Sequence, residues 1–286
     1  MTSKNTLLPV QKVLQSKGRL LDLSQPVVMG ILNATPDSFY NKGRSSSTEE
    51  LLHLAETMLE DGAAILDIGG ATTKPGAALI DVEEELQRVI PVVEKLHEKF
   101  PDVWISVDTY HSRVAKETVL AGASIINDVS SGSFDPGMLD TVASLHVPYI
   151  AMHMQGTPQN MQDNPYYEDV VSEVRETLRN ICDRCAAAGI RDVIVDPGFG
   201  FGKTIEHNFS LLKQLHTLRI LGKPVLVGLS RKSLIYRTLS IDSDHALNGT
   251  TALNMVALQQ GASILRVHDV KEAVETLKLY LMLQDS

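Results

Sequence analysis

Cysteine is scarce in this sequence, long apolar runs are missing, and basic residues do not outnumber acidic ones. Each shortage removes a class of function. The two cysteines, Cys182 and Cys185, stand in NICDRCAAAG inside a stretch with helical spacing, and no second ligand pair follows at zinc-finger spacing. They read as ordinary helix positions in a reducing compartment, not as a redox or metal motif. No apolar run approaches the ~20 residues needed to cross a bilayer. The N-terminal MTSKNTLLPVQKVLQSKGRLL lacks the apolar core of a secretory signal. A soluble, cytoplasmic protein without a membrane partner is expected. A net charge of −9 argues against a nucleic-acid partner. It leaves room for an anionic small substrate, because a few cations at a site outweigh the global sum at short range. Pro/Ser-rich linkers are also lacking, so the expectation is one domain over 1–286, with an extension over 1–26 and the fold proper from about 27 onward.

What the chain does contain is a repeated pattern. Eight short apolar runs carry a polar residue at or near their ends: VVMGILN with Asn33, AILDI with Asp67, WISVD with Asp108, SIIND with Asn127 and Asp128, YIAMH with His153, VIVD with Asp196, VLVGLS with Ser230, and SILRVH with Arg266 and His268. Continuous β-branched runs read as strands buried on both faces of a parallel sheet. Polar groups at their ends, repeated around a closed sheet, define one rim. In a (β/α)8 barrel that rim carries the active site. The expected fold is therefore an α/β (β/α)8 TIM barrel with a short N-terminal hairpin formed around GRLLDLS.

Helical spacing separates the runs: Thr48–Leu59 with Thr48 as N-cap, Val82–Phe100, Glu173–Ala188, Asn248–Gln260 and Val270–Leu283. Three joints, DGAAILD, AGASIIND and QGASILRVHD, share a glycine where a helix C-terminus calls for a left-handed residue. They mark successive αβ units.

The rim groups differ chemically, which suits a substrate with several faces. Asp108, Asn127 and Asp196 offer acceptors and an amide, and Lys232 in LSRKS offers a cation. A flat heterocycle with an amino-amidine edge would donate to a carboxylate such as Asp196, while its carbonyl and ring nitrogens would need an amide and a lysine. Taken singly, any of these acids could equally cap a helix or hold a loop. Asp67 and Asp128 are left as supports, and His153 has no assigned role. NATPDSF carries Phe39 at a loop tip, with the polar YNKGRSSST beyond it as a mobile lid. GGATTKPG is a compact turn rich in donors, and in DPGFGFGK two phenylalanines alternate with glycines. Ser233 stands near a helix start, and Arg266 with His268 in RVHD forms a plausible anion clamp.

NATPDSF, SVDT, IIND, DPGFGFGK, GLSRKS and RVHD, in this order from about Val27 to the C-terminus, resemble the dihydropteroate synthases of folate biosynthesis. That resemblance implies a reaction joining 4-aminobenzoate to (7,8-dihydropterin-6-yl)methyl diphosphate, by diphosphate departure and amine attack. It places the pterin against Asp108, Asn127, Asp196 and Lys232. The diphosphate falls to Asn33, Thr73, Arg266 and His268, with Mg2+ at Asn33. Aminobenzoate falls to Phe39, Thr73, Pro75, Phe201 and Ser233, where sulfonamides would compete. The catalytic set is Asn33, Lys232, Arg266 and His268, and a homodimer is implied. Three features depart from the family pattern: Lys74 where arginine is usual, Ala71 where an acid is frequent, and Asn41-Lys42-Gly43 where an Asp-Gly pair often follows PDSF. A corrin-directed methyltransferase on the same barrel is the nearest rival, and a non-catalytic pterin-binding paralogue is another. The diphosphate and aminobenzoate motifs favour the synthase over both.

Overall fold

A computed structural model describes residues 9–34, 44–71 and 80–285 of the chain. Strands β1 (Val13–Ser16) and β2 (Arg19–Asp22) form an antiparallel hairpin. Its two-residue turn places Lys17 and Gly18 at φ +51° and +78°, the positive pair that a tight hairpin turn demands. The following strands form the barrel: β3 (Val27–Asn33), β4 (Ile65–Gly69), β5 (Trp104–Asp108), β6 (Ile125–Asp128), β7 (Tyr149–Met152), β8 (Val193–Asp196), β9 (Leu226–Val227) and β10 (Ile264–Val267). All are parallel, in the order β8-β7-β6-β5-β4-β3-β10-β9, and a bridge between Val195 and Val225 joins the two ends. The expected eight-stranded barrel and its hairpin are both present.

The helices alternate with the strands: α1 (Arg44–Glu60), α2 (Val82–Lys99), α3 (Ser112–Ala121), α4 (Met138–Leu145), α5 (Val170–Ala188), α6 (Ile205–Lys213), a 3-10 turn at Leu215–Leu221, α7 (Ser233–Thr238), α8 (Leu247–Gln259) and α9 (Val270–Asp285). Two starts differ from expectation by more than one residue. α1 begins at Arg44, so Thr48 lies within the helix and is not its N-cap. α5 begins at Val170, ahead of the expected Glu173 start, because Asp169 caps it by accepting from the Val171 and Ser172 amides. The shared joints behave as read: Gly62, Gly122 and Gly261 have φ of +103°, +134° and +93°. Among the described residues no helix is long and apolar enough to cross a membrane.

Strand alternation explains how one barrel holds both a dry floor and a polar mouth. Met29, Ile65, Trp104, Ile125, Ile150, Ile194, Leu226 and Ile264 meet in one buried cluster, one residue from each strand. Leu14, Leu21 and Leu23 of the hairpin segment plug that cluster from below. Two residues further along, the same inward face carries Asp67 on β4, Ser106 on β5, Asn127 on β6, Asp196 on β8 and Arg266 on β10. The other face packs on the helices, in a larger cluster that includes Val28, Leu66, Ile105 and Val195. Leu14 is fully buried in the plug, and Leu14→Ala is expected to cost about 2–5 kcal/mol through the cavity it leaves. Urea unfolding would measure this. A loss below about 1 kcal/mol would show that the plug collapses freely or carries little of the fold.

Candidate active site

The polar layer closes on itself. Arg266 donates from Nε to Asp67 Oδ2 at 2.7 Å and from Nη2 to Asp108 Oδ2 at 3.2 Å. Asn127 Nδ2 donates to the same Asp67 oxygen at 3.1 Å. Residues from β4, β5, β6 and β10 are thus tied across the barrel mouth. Burial pushes Asp108 above the usual carboxylate range, with the Arg266 guanidinium opposing. Asp67 is fully buried, and its Oδ1 has no protein partner among the described residues. Ser106 Oγ, on the same inward face, is also without one. Buried oxygens of this kind are costly unless something hydrogen-bonds to them.

Beside this network stand Asp196 and Lys232. Asp196 ends β8, and burial raises its pKa, with Lys232 as the leading opposing charge. Its Oδ1 accepts from the Gly198 amide at 2.7 Å. Lys232 reaches in from the loop after β9 and donates to the Phe199 carbonyl at 2.6 Å. Its Nζ stands 4.8 Å from the centre of the Phe201 ring. Desolvation lowers its pKa to about 8, with Asp196 opposing. Phe199 is fully buried in the core, so its role is structural. Phe201 is partly buried on the rim, with Tyr110, Val129 and Met152.

His268 follows β10. Its amide donates to Ser230 Oγ at 3.2 Å, and that hydroxyl lies 3.0 Å from His268 Nδ1. When the hydroxyl donates to Nδ1, the ring N–H stands at Nε2. Burial, and next the Arg266 charge, pull its pKa down to about 4, so the ring is neutral at pH 7. Arg231 grips both Asp269 oxygens, from Nε at 2.9 Å and Nη2 at 2.7 Å, fastening the loop after β9 to the loop after β10. Ser233 opens α7, directly after Lys232. Asn33 ends β3 with its side chain exposed.

The loop after β4 has well-defined roots. Arg88 of α2 donates to the Gly70 carbonyl at 2.7 Å; on the far side, Tyr110 Oη accepts from the Ile80 amide at 3.0 Å, and His111 Nε2 bonds the Ile80 carbonyl at 3.1 Å. Between these roots lies Glu85, fully buried, with neither carboxylate oxygen in a formed hydrogen bond. Desolvation raises its pKa to about 8; the nearby Thr109 hydroxyl opposes this without closing a well-formed bond. A carboxyl with a raised folded-state pKa stabilises the fold at low pH and loses that contribution as pH rises through the folded value. Glu85→Gln is therefore expected to flatten the fall in stability between about pH 5 and 8, the span from its ordinary pKa to its raised one, measured by urea midpoints. Parallel curves for the two proteins would refute this.

Of the residues singled out in the sequence, Asp108, Asn127, Asp196, Lys232, Arg266, His268, Phe201 and Ser233 gather at the C-terminal mouth of the barrel. Asn33 ends its strand at the same rim. Phe39, Thr73 and Pro75 lie outside the described residues, as do Asn41, Lys42 and Lys74. Asp67 was underrated; its position two residues beyond Ile65 on an inward face was the available signal. Asp128 holds a loop instead, accepting from Tyr149 Oη at 2.7 Å and from the Ser130 and Gly132 amides at 2.8 Å. Cys182 and Cys185 are free thiols, and burial raises the Cys185 pKa to about 12, which leaves it unreactive. Among the described residues no group of three or more His, Cys, Asp or Glu could hold a metal.

Comparison with known proteins agrees with this geometry. Residues 29–268 match the family described as pterin binding enzyme. The dihydropteroate synthase of Escherichia coli strain K12 is 48% identical over 266 residues, covering 92% of this chain and 94% of that protein. A crystal structure of the Yersinia pestis dihydropteroate synthase with a sulfonamide drug superposes with a TM-score of 0.91 at 45% identity, covering 96% of this chain and 100% of that one. A Xanthomonas albilineans dihydropteroate synthase in complex with 7,8-dihydropteroate gives 0.87 at 41% identity, covering 96% and 99%.

Proposed function

The chain belongs to the pterin-binding enzyme family and within it to the dihydropteroate synthases, and we propose from that premise how its own residues divide the work. The reaction joins 4-aminobenzoate to (7,8-dihydropterin-6-yl)methyl diphosphate and yields 7,8-dihydropteroate and diphosphate. The observation that carries the assignment is the polar layer just above the apolar floor, whose donors and acceptors suit an aminopterin edge.

Asp196 accepts the amino-amidine hydrogens of the pterin, Asn127 reads its carbonyl and ring nitrogen, and Lys232 donates to the heterocycle. Asp108 lines the opposite wall with Arg266. Arg266 has two nitrogens on carboxylates; its Nη1, without a protein acceptor among the described residues, is offered to the diphosphate. His268 adds a neutral Nε2–H donor there, and Thr73 adds a hydroxyl. Asn33 supplies one hard oxygen, a donor set that fits Mg2+ because that cation takes most of its ligands from phosphate oxygens and water. When bound, Mg2+ would neutralise part of the leaving-group charge. Aminobenzoate lies above the pterin, against Phe39, Pro75, Thr73 and the Phe201 ring, with its carboxylate at the Ser233 hydroxyl. Sulfonamides compete for the same place.

The methylene C–O bond breaks with its electron pair leaving on diphosphate; the aromatic amine supplies the pair for the new C–N bond and then releases a proton to solvent. The amine is neutral and nucleophilic at pH 7, so no strong general base is required. The residues position the partners and meet charge where it develops. The protein works in the cytoplasm as a homodimer, for which the exposed Leu279 and Met282 on α9 offer an apolar face. The test is an assay with both substrates and Mg2+. Diphosphate release should depend on aminobenzoate; pterin binding without turnover, or methyl transfer to a corrinoid partner, would overturn the reading.

A further inference from the structure

Lys203 closes the DPGFGFGK segment, yet its side chain turns away from the substrates' side of the loop into the protein. It is 3% exposed. Its Nζ lies 2.8 Å from His153 Nδ1, 2.9 Å from the Gly198 carbonyl and 3.0 Å from the Phe201 carbonyl. Burial pulls its pKa down to about 7, with the Asp196 charge opposing. The three contacts hold in either state: two carbonyls accept its hydrogens, while Nδ1 accepts from an ammonium or donates to a neutral amine. No carboxylate forms an ion pair with it among the described residues. A buried lysine nitrogen held by two carbonyls and an imidazole, with no ion pair, is a costly device for a mere filler of space.

The atoms it gathers are those that shape the site. Gly198 gives its amide to Asp196 and its carbonyl to Lys203. Phe199, next in sequence, gives its carbonyl to Lys232. Phe201 gives its carbonyl to Lys203 and its ring to Lys232. The loop also sits too close to β7 for drift: a Cβ at Gly198 would come 1.9 Å from the His153 carbonyl oxygen. His153 is 4% exposed, and burial lowers its pKa to about 3, so its ring stays neutral throughout the physiological range.

We propose that Lys203, seated on His153, is a positioning residue of the synthase: it locks the loop after β8 so that the Phe201 ring and the Phe199 carbonyl are held in place around Lys232. This rests on the functional reading above, in which Phe201 forms part of the aminobenzoate wall. The pterin has independent holds on β5 and β6 through Asp108 and Asn127, whereas aminobenzoate is held by loops. Losing Lys203 should therefore fall unequally on the two substrates.

Lys203→Met keeps the length and the apolar stem and removes the amino group. In steady-state assays of the full chain, KM for 4-aminobenzoate is expected to rise ~10-fold or more and kcat to fall, since a displacement near 1 Å can cost that much. KM for the dihydropterin diphosphate should change by less than ~3-fold on the same reasoning. Leu14→Ala, at the opposite end of the barrel, should lower stability while leaving both KM values at wild type. If Lys203→Met melts earlier but keeps wild-type constants, or raises both KM values equally, Lys203 is a general support of the fold and the proposal is overturned. Should that variant not fold, His153→Phe keeps a ring and removes Nδ1; it should raise KM for aminobenzoate in the same selective way, and unchanged constants would overturn the proposal. A wild-type chain that makes no dihydropteroate is a different result, which would overturn the functional reading itself.

Discussion

Lys232→Ala is expected to lower kcat/KM by ~10²–10³-fold or more while the protein stays folded, as loss of one preorganised donor in a water-poor site does. Two effects combine. The variant loses the cation that donates toward the pterin ring, and it loses the leading charge that opposes the burial-driven rise in the Asp196 pKa. Without that charge Asp196 takes up a proton more readily and accepts one hydrogen bond fewer from the amino-amidine edge. Lys232 itself should be visible in the wild-type enzyme. With its pKa lowered to about 8, kcat/KM should decline as pH rises through that value, because the ammonium is the active form. The decline should vanish in Lys232→Ala. Near-normal rates in that variant would refute the assigned role.

Arg266→Met should reduce both stability and turnover. The guanidinium lies between Asp67 and Asp108, and removing it leaves the fully buried Asp67 facing the partly buried Asp108. Breaking a buried pair in this way costs about 3–5 kcal/mol. The sign of the pH dependence follows from Asp108, whose carboxyl burial already holds above the ordinary range. Its protonated form suits the vacated site, so the penalty is small near the ordinary carboxylate pKa and grows as pH rises through the raised value. The stability gap from wild type, read from urea midpoints, should therefore widen between pH 5 and pH 8. A gap independent of pH would show that the two acids do not carry the penalty. Turnover should fall by ~10²-fold or more with the loss of the charged donor to the diphosphate.

Much of this was legible in the sequence because the barrel repeats one rule. Apolar strands ending in Asn33, Asp108, Asn127 and Asp196 announced both the closed parallel sheet and the rim. Gly62, Gly122 and Gly261 marked the helix-to-strand joints by their backbone need. Asp67 escaped because an acid in the middle of AILDI resembles a support until strand pairing shows which face is inward. Lys203 and His153 escaped because they lie 50 residues apart in sequence and meet only through the packing of the loop after β8 on β7. The early start of α1 was hidden by serines, which favour loops in composition and here extend a helix.

The most direct test of a site that positions substrates and meets charge, without bonding to them, is the mass of the protein itself. Incubated with dihydropterin diphosphate and Mg2+ in the absence of aminobenzoate, the chain should keep its unmodified mass. Added aminobenzoate should then yield dihydropteroate and diphosphate in equal amounts. A stable gain equal to the pterinylmethyl group, matched by stoichiometric diphosphate release before aminobenzoate is added, would contradict the account.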